Sequence, residues 1–237
     1  MDDHYLRQLP DDLQTLVQGT EQQSGLVIQV EVDPARGATV ACHVDEHGAT
    51  LLVSGEESFQ PASVMHELLH IRRFLVDGVP QIVVNEDYND WTPELERGLT
   101  NLDNGLEHLV IVPEEIFRFP GRREYWAGVM TRKFEEIRVN PLVPDDRRRH
   151  ALVNWLFTHH VLMEGPQILA ADSLVDELGL RQQADAFRDA MIPALAMKQE
   201  AVRRCFQRLN IPFAAVALKY IDSRARRSRA VALEPAT

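Results

Sequence analysis

Positions 64–70 read V-M-H-E-L-L-H, and this H-E-x-x-H motif constrains the chain more than any other feature. Side chains four residues apart on a helix share a face, so His66 and His70 can reach one divalent metal ion. Zinc accepts imidazole nitrogens at roughly 2.0–2.1 Å, which two rings at this spacing can satisfy together. Glu67 follows the first histidine and is placed to accept a proton from water rather than to bind the metal. The motif therefore predicts two metal ligands and one general base.

Helix signals stand on both sides of the motif. Pro61 suits the first turn of a helix, and Gly78 followed by Pro80 supplies a stop. The apolar residues between them form two stripes, Val64, Leu68, Ile71 and Leu75 on one side and Met65, Leu69 and Val76 on the other. A helix that is apolar on two sides packs between layers. The alternative is a buried helix with two hydrogen-bonded core histidines, although core packing does not require this register with a glutamate inside it.

The motif and its setting resemble the zincin superfamily of zinc metallopeptidases. The resemblance implies a zinc cofactor, a peptide or protein substrate, and hydrolysis by a water molecule that Glu67 deprotonates. It also implies an α+β domain in which a strand precedes the motif helix. The metzincin branch is excluded, because its glycine and third histidine would fall on Arg73 and Val76. The gluzincin branch, which takes a glutamate from a helix further along the chain, is the closer resemblance.

A catalytic zinc site needs three protein ligands and one open position. Glu107 and His108 lie in a predicted helix whose apolar face is formed by Leu99, Leu102, Leu106, Leu109 and Val110. At about 100° per residue, Glu107 falls on the shoulder of that face and His108 nearly opposite, which favours Glu107 and leaves His108 as the alternative third ligand. Asp103, one turn earlier, could orient a metal-bound imidazole. Less favoured third ligands are Glu94, Glu96, Glu135 and Glu136.

Two related classes of metal site fit the chain less well. Thermolysin-like enzymes carry an acidic residue four positions after the ligand glutamate, where this chain has Ile111. Ferritin-like di-iron bundles need two Glu-x-x-His pairs on separate helices. Glu67 and His70 form one such pair, but the sequence offers no second one. A site for a single zinc ion is therefore the prediction.

Composition bounds the class of protein. The 237 residues are 45% hydrophobic and 26% charged, which is ordinary for a globular chain with a real core. No apolar run approaches the roughly 18–20 residues of a membrane span, and the acidic start lacks the basic and apolar regions of a secretory signal. The two cysteines, Cys42 and Cys205, lie far apart and imply no disulfide framework. We expect a cytoplasmic protein with no membrane partner.

Charge is unevenly distributed along the chain. Residues 1–120 carry 22 acidic and 6 basic side chains, whereas residues 121–237 carry 14 acidic and 19 basic ones. The acidic half contains the motif and modestly favours cationic substrates or partners. The basic run at 224–229 has no interleaved aromatic residue, so a solvated tail is favoured over a nucleic-acid arm. The charge pattern therefore does not favour a nucleic-acid partner, and the peptide or protein substrate stays an expectation from the zincin resemblance.

The order of predicted elements indicates an α+β fold. Strands are predicted at 25–33, 38–44 and 50–54, with His47 in the turn between the last two. They should form a small, mostly antiparallel sheet within residues 26–58, against which the motif helix packs. Residues 81–84 could add an edge strand or cross under the helix. Helices are predicted at 92–110, ending before Pro113, and at 122–138, 146–163, 166–179 and 182–208, the last divided or kinked by Pro193. The expected parts are a zincin-like region with the metal site at 1–120, a helical part covering that site at 121–222, and a disordered tail at 223–237.

These observations predict a zinc-dependent hydrolase, specifically a metallopeptidase with Glu67 as its base. The reaction also needs a donor for the developing oxyanion, and Tyr125, His150, His159 and His160 stay open for that role. The alternative is a non-catalytic module that keeps the zincin fold and acts as a regulator or as a toxin or defence component. Glu67 favours the enzyme, because it is the residue that a decayed enzyme could most readily lose.

Overall fold

The computed structural model describes residues 1–36, 40–85 and 87–235. The backbone divides into two compact units. Unit 1 consists of Met1–Val83 and Ala217–Val231, and unit 2 consists of Val84–Val216 with the residues from Ala232 onward. The functional division near residue 120 that the sequence predicts stays a prediction. Unit 1 is discontinuous, because a segment late in the chain returns to it, and local composition does not reveal such long-range pairing.

Unit 1 begins with two helices and a three-stranded sheet. In chain order these are α1 (Asp3–Leu6), α2 (Asp11–Ser24), β1 (Ile28–Val32), β2 (Ala41–Val44) and β3 (Ala49–Val53). The strand order is β1-β3-β2, with β3 parallel to β1 and antiparallel to β2. The sheet is therefore mixed rather than mostly antiparallel, because β3 inserts between the two strands that precede it. The predicted strand start at Ala38 and Thr39 lies outside the described residues.

The motif helix α3 spans Pro61–Leu75, with Pro61 in its first turn. It ends where the sequence predicted, and Gly78 adopts a φ of 68° just beyond it. That value lies in the left-handed region, which a glycine occupies without the steric cost a Cβ would add. The helix packs against α2, β2 and β3. Both predicted apolar stripes are buried up to Leu75, which confirms a helix packed between layers.

A second three-stranded sheet is built from distant parts of the chain. It contains β4 (Gln81–Val84), β5 (Val216–Asp222) and β6 (Arg227–Ala232), in the order β4-β5-β6. The sequence predicted disorder from residue 223 onward, but residues 227–232 are a strand. The difference has a physical reason: β6 has few buried side chains of its own and is ordered by pairing with β5.

Unit 2 is helical. Its helices are α4 (Pro93–Arg118), α5 (Arg122–Val139), α6 (Pro144–Phe157), α7 (Pro166–Glu177), α8 (Arg181–Met191) and α9 (Lys198–Leu209). A π-helical turn at Thr158–Leu162 continues α6. A short 3₁₀ turn at Ile192–Ala194 separates α8 from α9, which confirms that the proline there divides the predicted helix. Trp155, Phe134, Phe187 and Phe206 are the largest fully buried side chains of this unit.

Helix α4 continues through Pro113 to Arg118, so the prediction that it ends before Pro113 is wrong. Proline lacks the N–H that would bond the carbonyl four residues earlier, which is that of Leu109. The ring of His160 faces this carbonyl instead. A side chain 51 positions from Leu109 is thus placed to donate to the carbonyl that Pro113 leaves without its helical partner.

Across the described residues, no helix combines the length and the apolar character that crossing a bilayer would require.

Candidate metal centre

The two motif histidines are buried one turn apart on α3. His66 is 8% exposed and His70 is 4% exposed. Their ring centroids are 5.0 Å apart, and the ring planes meet at 78°. Phe74 stacks on His70 with 6.0 Å between the centroids, which restricts that ring further. A single packed helix therefore holds both imidazoles in place before any metal binds.

Glu67 is partly exposed between these histidines, and its carboxylate meets a thiol from the sheet. Cys42 precedes the buried Val44 by two residues on β2, so both side chains share the strand face directed at α3. Burial raises the pKa of the Cys42 thiol well above its usual range, and the charge of Glu67 and the hydrogen bond to it raise the pKa further. The thiol is therefore protonated at neutral pH and donates to the Glu67 carboxylate.

Glu107, the favoured third ligand in the sequence, lies in a buried ion pair inside unit 2. Glu107 is 1% exposed and Lys198 is 6% exposed. The Glu107 Oε1 atom is 2.8 Å from the Lys198 Nζ atom, and an Asp103 carboxylate oxygen is 2.5 Å from the same nitrogen. Lys198 is the first residue of α9, where the helix dipole disfavours a cation. Two carboxylates on successive turns of α4 offset that cost.

His108 follows Glu107 on α4 and is partly exposed. Its ring packs edge-on against Trp126 of α5, with 4.9 Å between the centroids and 63° between the planes. The Trp126 indole N–H donates to Glu115 at 2.9 Å, which fixes the surface against which His108 rests. The orientation of His108 is thus set by aromatic packing within unit 2.

His66 and His70 of unit 1 and His108 of unit 2 each offer a ring nitrogen that could bind a metal ion. Three imidazoles that leave one position open are a ligand set of catalytic zinc sites. His108 is the alternative third ligand of the sequence analysis, whereas Glu107 is engaged with Lys198. The donor set fits a divalent ion, and imidazole suits zinc among several transition metals.

Comparisons with protein-family models, with curated proteins and with solved structures find no match to this chain.

The less favoured glutamates are surface residues. Glu94, Glu135 and Glu136 each pair, at 2.8–3.1 Å, with a basic side chain three positions away on the same helix. Glu96 is exposed. Solvated pairs of this kind contribute little to stability and are common on helix surfaces.

The four candidate oxyanion donors lie in unit 2 in different environments. Tyr125 is 47% exposed, and His150 is exposed on α6. His159 lies 3.0 Å from a carboxylate oxygen of Asp172, and His160 bonds the α4 carbonyl described above. The last two therefore have structural partners of their own, and the donor stays a hypothesis.

Sequence reasoning missed two residues of this region. Cys42 received no functional role from the sequence, although its alternation with Val44 on a strand could have indicated a side chain directed at the motif helix. Lys198 was not singled out at all. No local signal identifies it, because a lysine at the start of an amphipathic helix is ordinarily a solvated residue.

Proposed function

We propose that this chain is a zinc-dependent peptidase in which His66, His70 and His108 hold the metal ion and Glu67 is the general base. The observation that carries the proposal is the buried pair of His66 and His70 on one helix, with Glu67 between them. Core packing alone does not require two buried imidazoles at this spacing with a glutamate after the first of them, whereas binding of one metal ion does.

When bound, zinc supplies Lewis acidity: it makes a water molecule more acidic and polarises a substrate carbonyl. The protein's contribution is to orient and to move protons. Glu67 accepts the proton of the attacking water and later delivers it to the leaving amine, a role typically worth 10²–10⁴-fold in rate. The Cys42 thiol, which donates to the same carboxylate, holds Glu67 in position for this transfer.

A strand edge beside Glu67 favours a peptide as the substrate. β2 pairs with β3 on one side, and no described strand pairs with its other side. Cys42 of β2 contacts Glu67. An extended peptide that added to this edge would form main-chain hydrogen bonds regardless of its sequence. Its carbonyl groups would then lie close to the general base.

The test compares the native chain with Glu67→Gln in a proteome-wide cleavage assay, with zinc measured in each purified protein. Native protein should hold about one zinc per chain, the count of a mononuclear site. Glu67→Gln should keep the zinc and lose cleavage by about 10²-fold or more. Glu57→Gln, an exposed change of the same kind in unit 1, is the matched control and should keep both.

Ligand variants test the metal site separately from catalysis. His66→Ala, His70→Ala and His108→Ala should each lose zinc, whereas Glu107→Gln should retain it. Retention of zinc by both motif variants would refute the site, and loss with Glu107→Gln but not with His108→Ala would restore Glu107 as the third ligand. If native protein and Glu67→Gln both hold zinc but neither cleaves any substrate, the non-catalytic module is favoured. If native protein and Glu67→Gln cleave substrates equally well, Glu67 is not the base.

A further inference from the structure

The hairpin formed by β5 and β6 is a basic segment in an otherwise acidic unit. Residues 1–83 carry 13 acidic and 4 basic side chains, whereas residues 217–231 carry 5 basic and 1 acidic. Four of the basic side chains, Arg224, Arg226, Arg227 and Arg229, are exposed and lie in or beside the turn of the hairpin. Unit 1 therefore concentrates positive charge at one place.

Three of these arginines line a cavity of about 860 Å³ within unit 1. The cavity lies between the hairpin and the end of α3, with lining residues that include Arg224, Arg227, Arg229, Tyr220 and Ser223. Binding sites for small ligands typically measure about 300–1,000 Å³. The cavity is thus large enough for a ligand of nucleotide size.

Contacts within unit 1 hold the arginines in the cavity wall. The Arg224 Nε atom donates to the backbone carbonyl of Gln23 at 3.4 Å. The Arg229 guanidinium lies 5.1 Å from the centroid of the Tyr220 ring, a cation–π distance. Neither contact neutralises the positive charge. Both orient the side chains while leaving the guanidinium charge for a ligand.

The acidic residue of the hairpin has a structural role. Asp222 accepts the Ala225 backbone N–H at 2.9 Å, which closes the turn. Its other oxygen is 3.7 Å from the Arg227 Nε atom, in a pair that is mostly solvated. Among the described residues, Asp222 is the only carboxylate within 4.0 Å of any of the four guanidinium groups. The cavity therefore keeps a net positive lining.

We propose that this cavity binds a phosphate-bearing ligand of about nucleotide size. Guanidinium groups present a planar fork of donors that matches phosphate oxygens and bonds them in pairs. Arginines on an edge strand can also serve to prevent edge-to-edge aggregation, but that role does not require them to converge on a cavity. The proposal is independent of the metal centre, because it uses none of the proposed catalytic or metal-binding residues.

Calorimetric titration with inorganic pyrophosphate and with ATP tests this binding site. The full-length native chain should bind at least one of the two, and Arg224→Ser with Arg227→Ser and Arg229→Ser should weaken binding by about tenfold or more. A triple variant with Arg7→Ser, Arg97→Ser and Arg132→Ser removes the same charge from exposed positions elsewhere and should bind as the native chain does. Circular dichroism of both triple variants should match the native spectrum.

Three results would overturn the proposal. The first is no binding of either phosphate probe by the native chain. The second is an equal loss of binding in the cavity variant and in the control variant, which would indicate a general charge effect. The third is binding of a twelve-residue oligothymidylate while neither small probe binds, which would assign the hairpin to a nucleic acid strand.

Discussion

Glu107 and Lys198 form a buried ion pair inside unit 2, with 2.8 Å between the Oε1 and Nζ atoms. The pair links the middle of α4 to the first residue of α9, and Asp103 joins it from the preceding turn of α4. Charges removed from water in this way are stable only while each has its partner. The pair therefore ties the position of His108, the next residue on α4, to the integrity of unit 2.

Removing Lys198 should be strongly destabilising. Lys198→Met leaves the buried Glu107 and the partly buried Asp103 without their shared cation, and breaking a buried pair typically costs about 3–5 kcal/mol. Urea unfolding of the native chain and of each variant measures the free energy of unfolding. Lys133→Met is the control, because it breaks a pair with Glu136 whose side chains are about half exposed, and such pairs contribute about 0–1 kcal/mol. Similar losses in both variants would show that Lys198 is not a buried structural cation.

The hydrogen bond from His160 to the Leu109 carbonyl should depend on Pro113. His160→Leu leaves that carbonyl without a donor and should cost about 1–3 kcal/mol of unfolding free energy. In a Pro113→Ala background the new backbone N–H can bond the same carbonyl, so the cost should be clearly smaller. A double-mutant cycle of His160→Leu and Pro113→Ala, measured by urea unfolding, gives the coupling free energy between the two residues. Equal costs of His160→Leu in both backgrounds would contradict this explanation of the uninterrupted helix.

Asp172 should contribute to the acid sensitivity of unit 2. Burial alone would raise the pKa of its carboxyl, but hydrogen bonds from Trp155, Arg181 and His159 outweigh burial and lower it. A lowered folded-state pKa gives stability that is present above the ordinary value near 3.8 and is lost as pH falls through the folded-state pKa. Asp172→Asn should therefore flatten the loss of unfolding free energy between about pH 5 and pH 2.

Thermal or urea unfolding between about pH 5 and pH 2, with chelator present, measures how the free energy of unfolding depends on pH in the native chain and in Asp172→Asn. Trp155→Phe removes one of the three hydrogen-bond donors to Asp172. It should reduce the loss of unfolding free energy at low pH less than Asp172→Asn does. If Asp172→Asn lost unfolding free energy at low pH as steeply as the native chain does, Asp172 would not be a source of the acid sensitivity.

The reactivity of Cys42 should report the charge on Glu67. Because its thiol pKa is raised by burial and by Glu67, alkylation by iodoacetamide at pH 8.5 should be at least about tenfold slower than for a cysteine in an unfolded peptide. Glu67→Gln removes the negative charge and should speed the reaction. Cys205 is fully buried and serves as the internal control, unreactive in both proteins. If Cys42 were alkylated at the same rate in the native chain and in Glu67→Gln, the contact between the Cys42 thiol and the Glu67 carboxylate would be excluded.

The parts of the fold that the sequence predicted are those specified by neighbouring residues. Helix α3 begins at Pro61 and ends before Gly78 because local steric preferences and an apolar stripe determine both ends. The motif placed His66 and His70 together for the same reason, since one helical turn fixes their separation. Periodicity within one element was sufficient for both.

The parts that the sequence did not predict depend on distant partners. Helix α4 continues through Pro113, where the ring of His160 from another element faces the Leu109 carbonyl. Glu107 lies on the shoulder of the apolar face as expected, but its partner Lys198 is 91 positions away. Strand β6 exists because β5 pairs with it, and its own residues read as a solvated tail. Local sequence patterns do not predict contacts with residues that are distant in the chain.

The discontinuity of unit 1 has a consequence for biosynthesis. Residues 84–215 are translated before β5 and β6, so the unit that bears α3 has only β4 of its second sheet until the last part of the chain is made. At roughly 5–20 residues per second, translation of the missing hairpin takes on the order of a second or more. Premature termination inside residues 217–231 would release chains that have all the helices of unit 2 but an unfinished unit 1, in which the edge of β4 that pairs with β5 is open to other proteins.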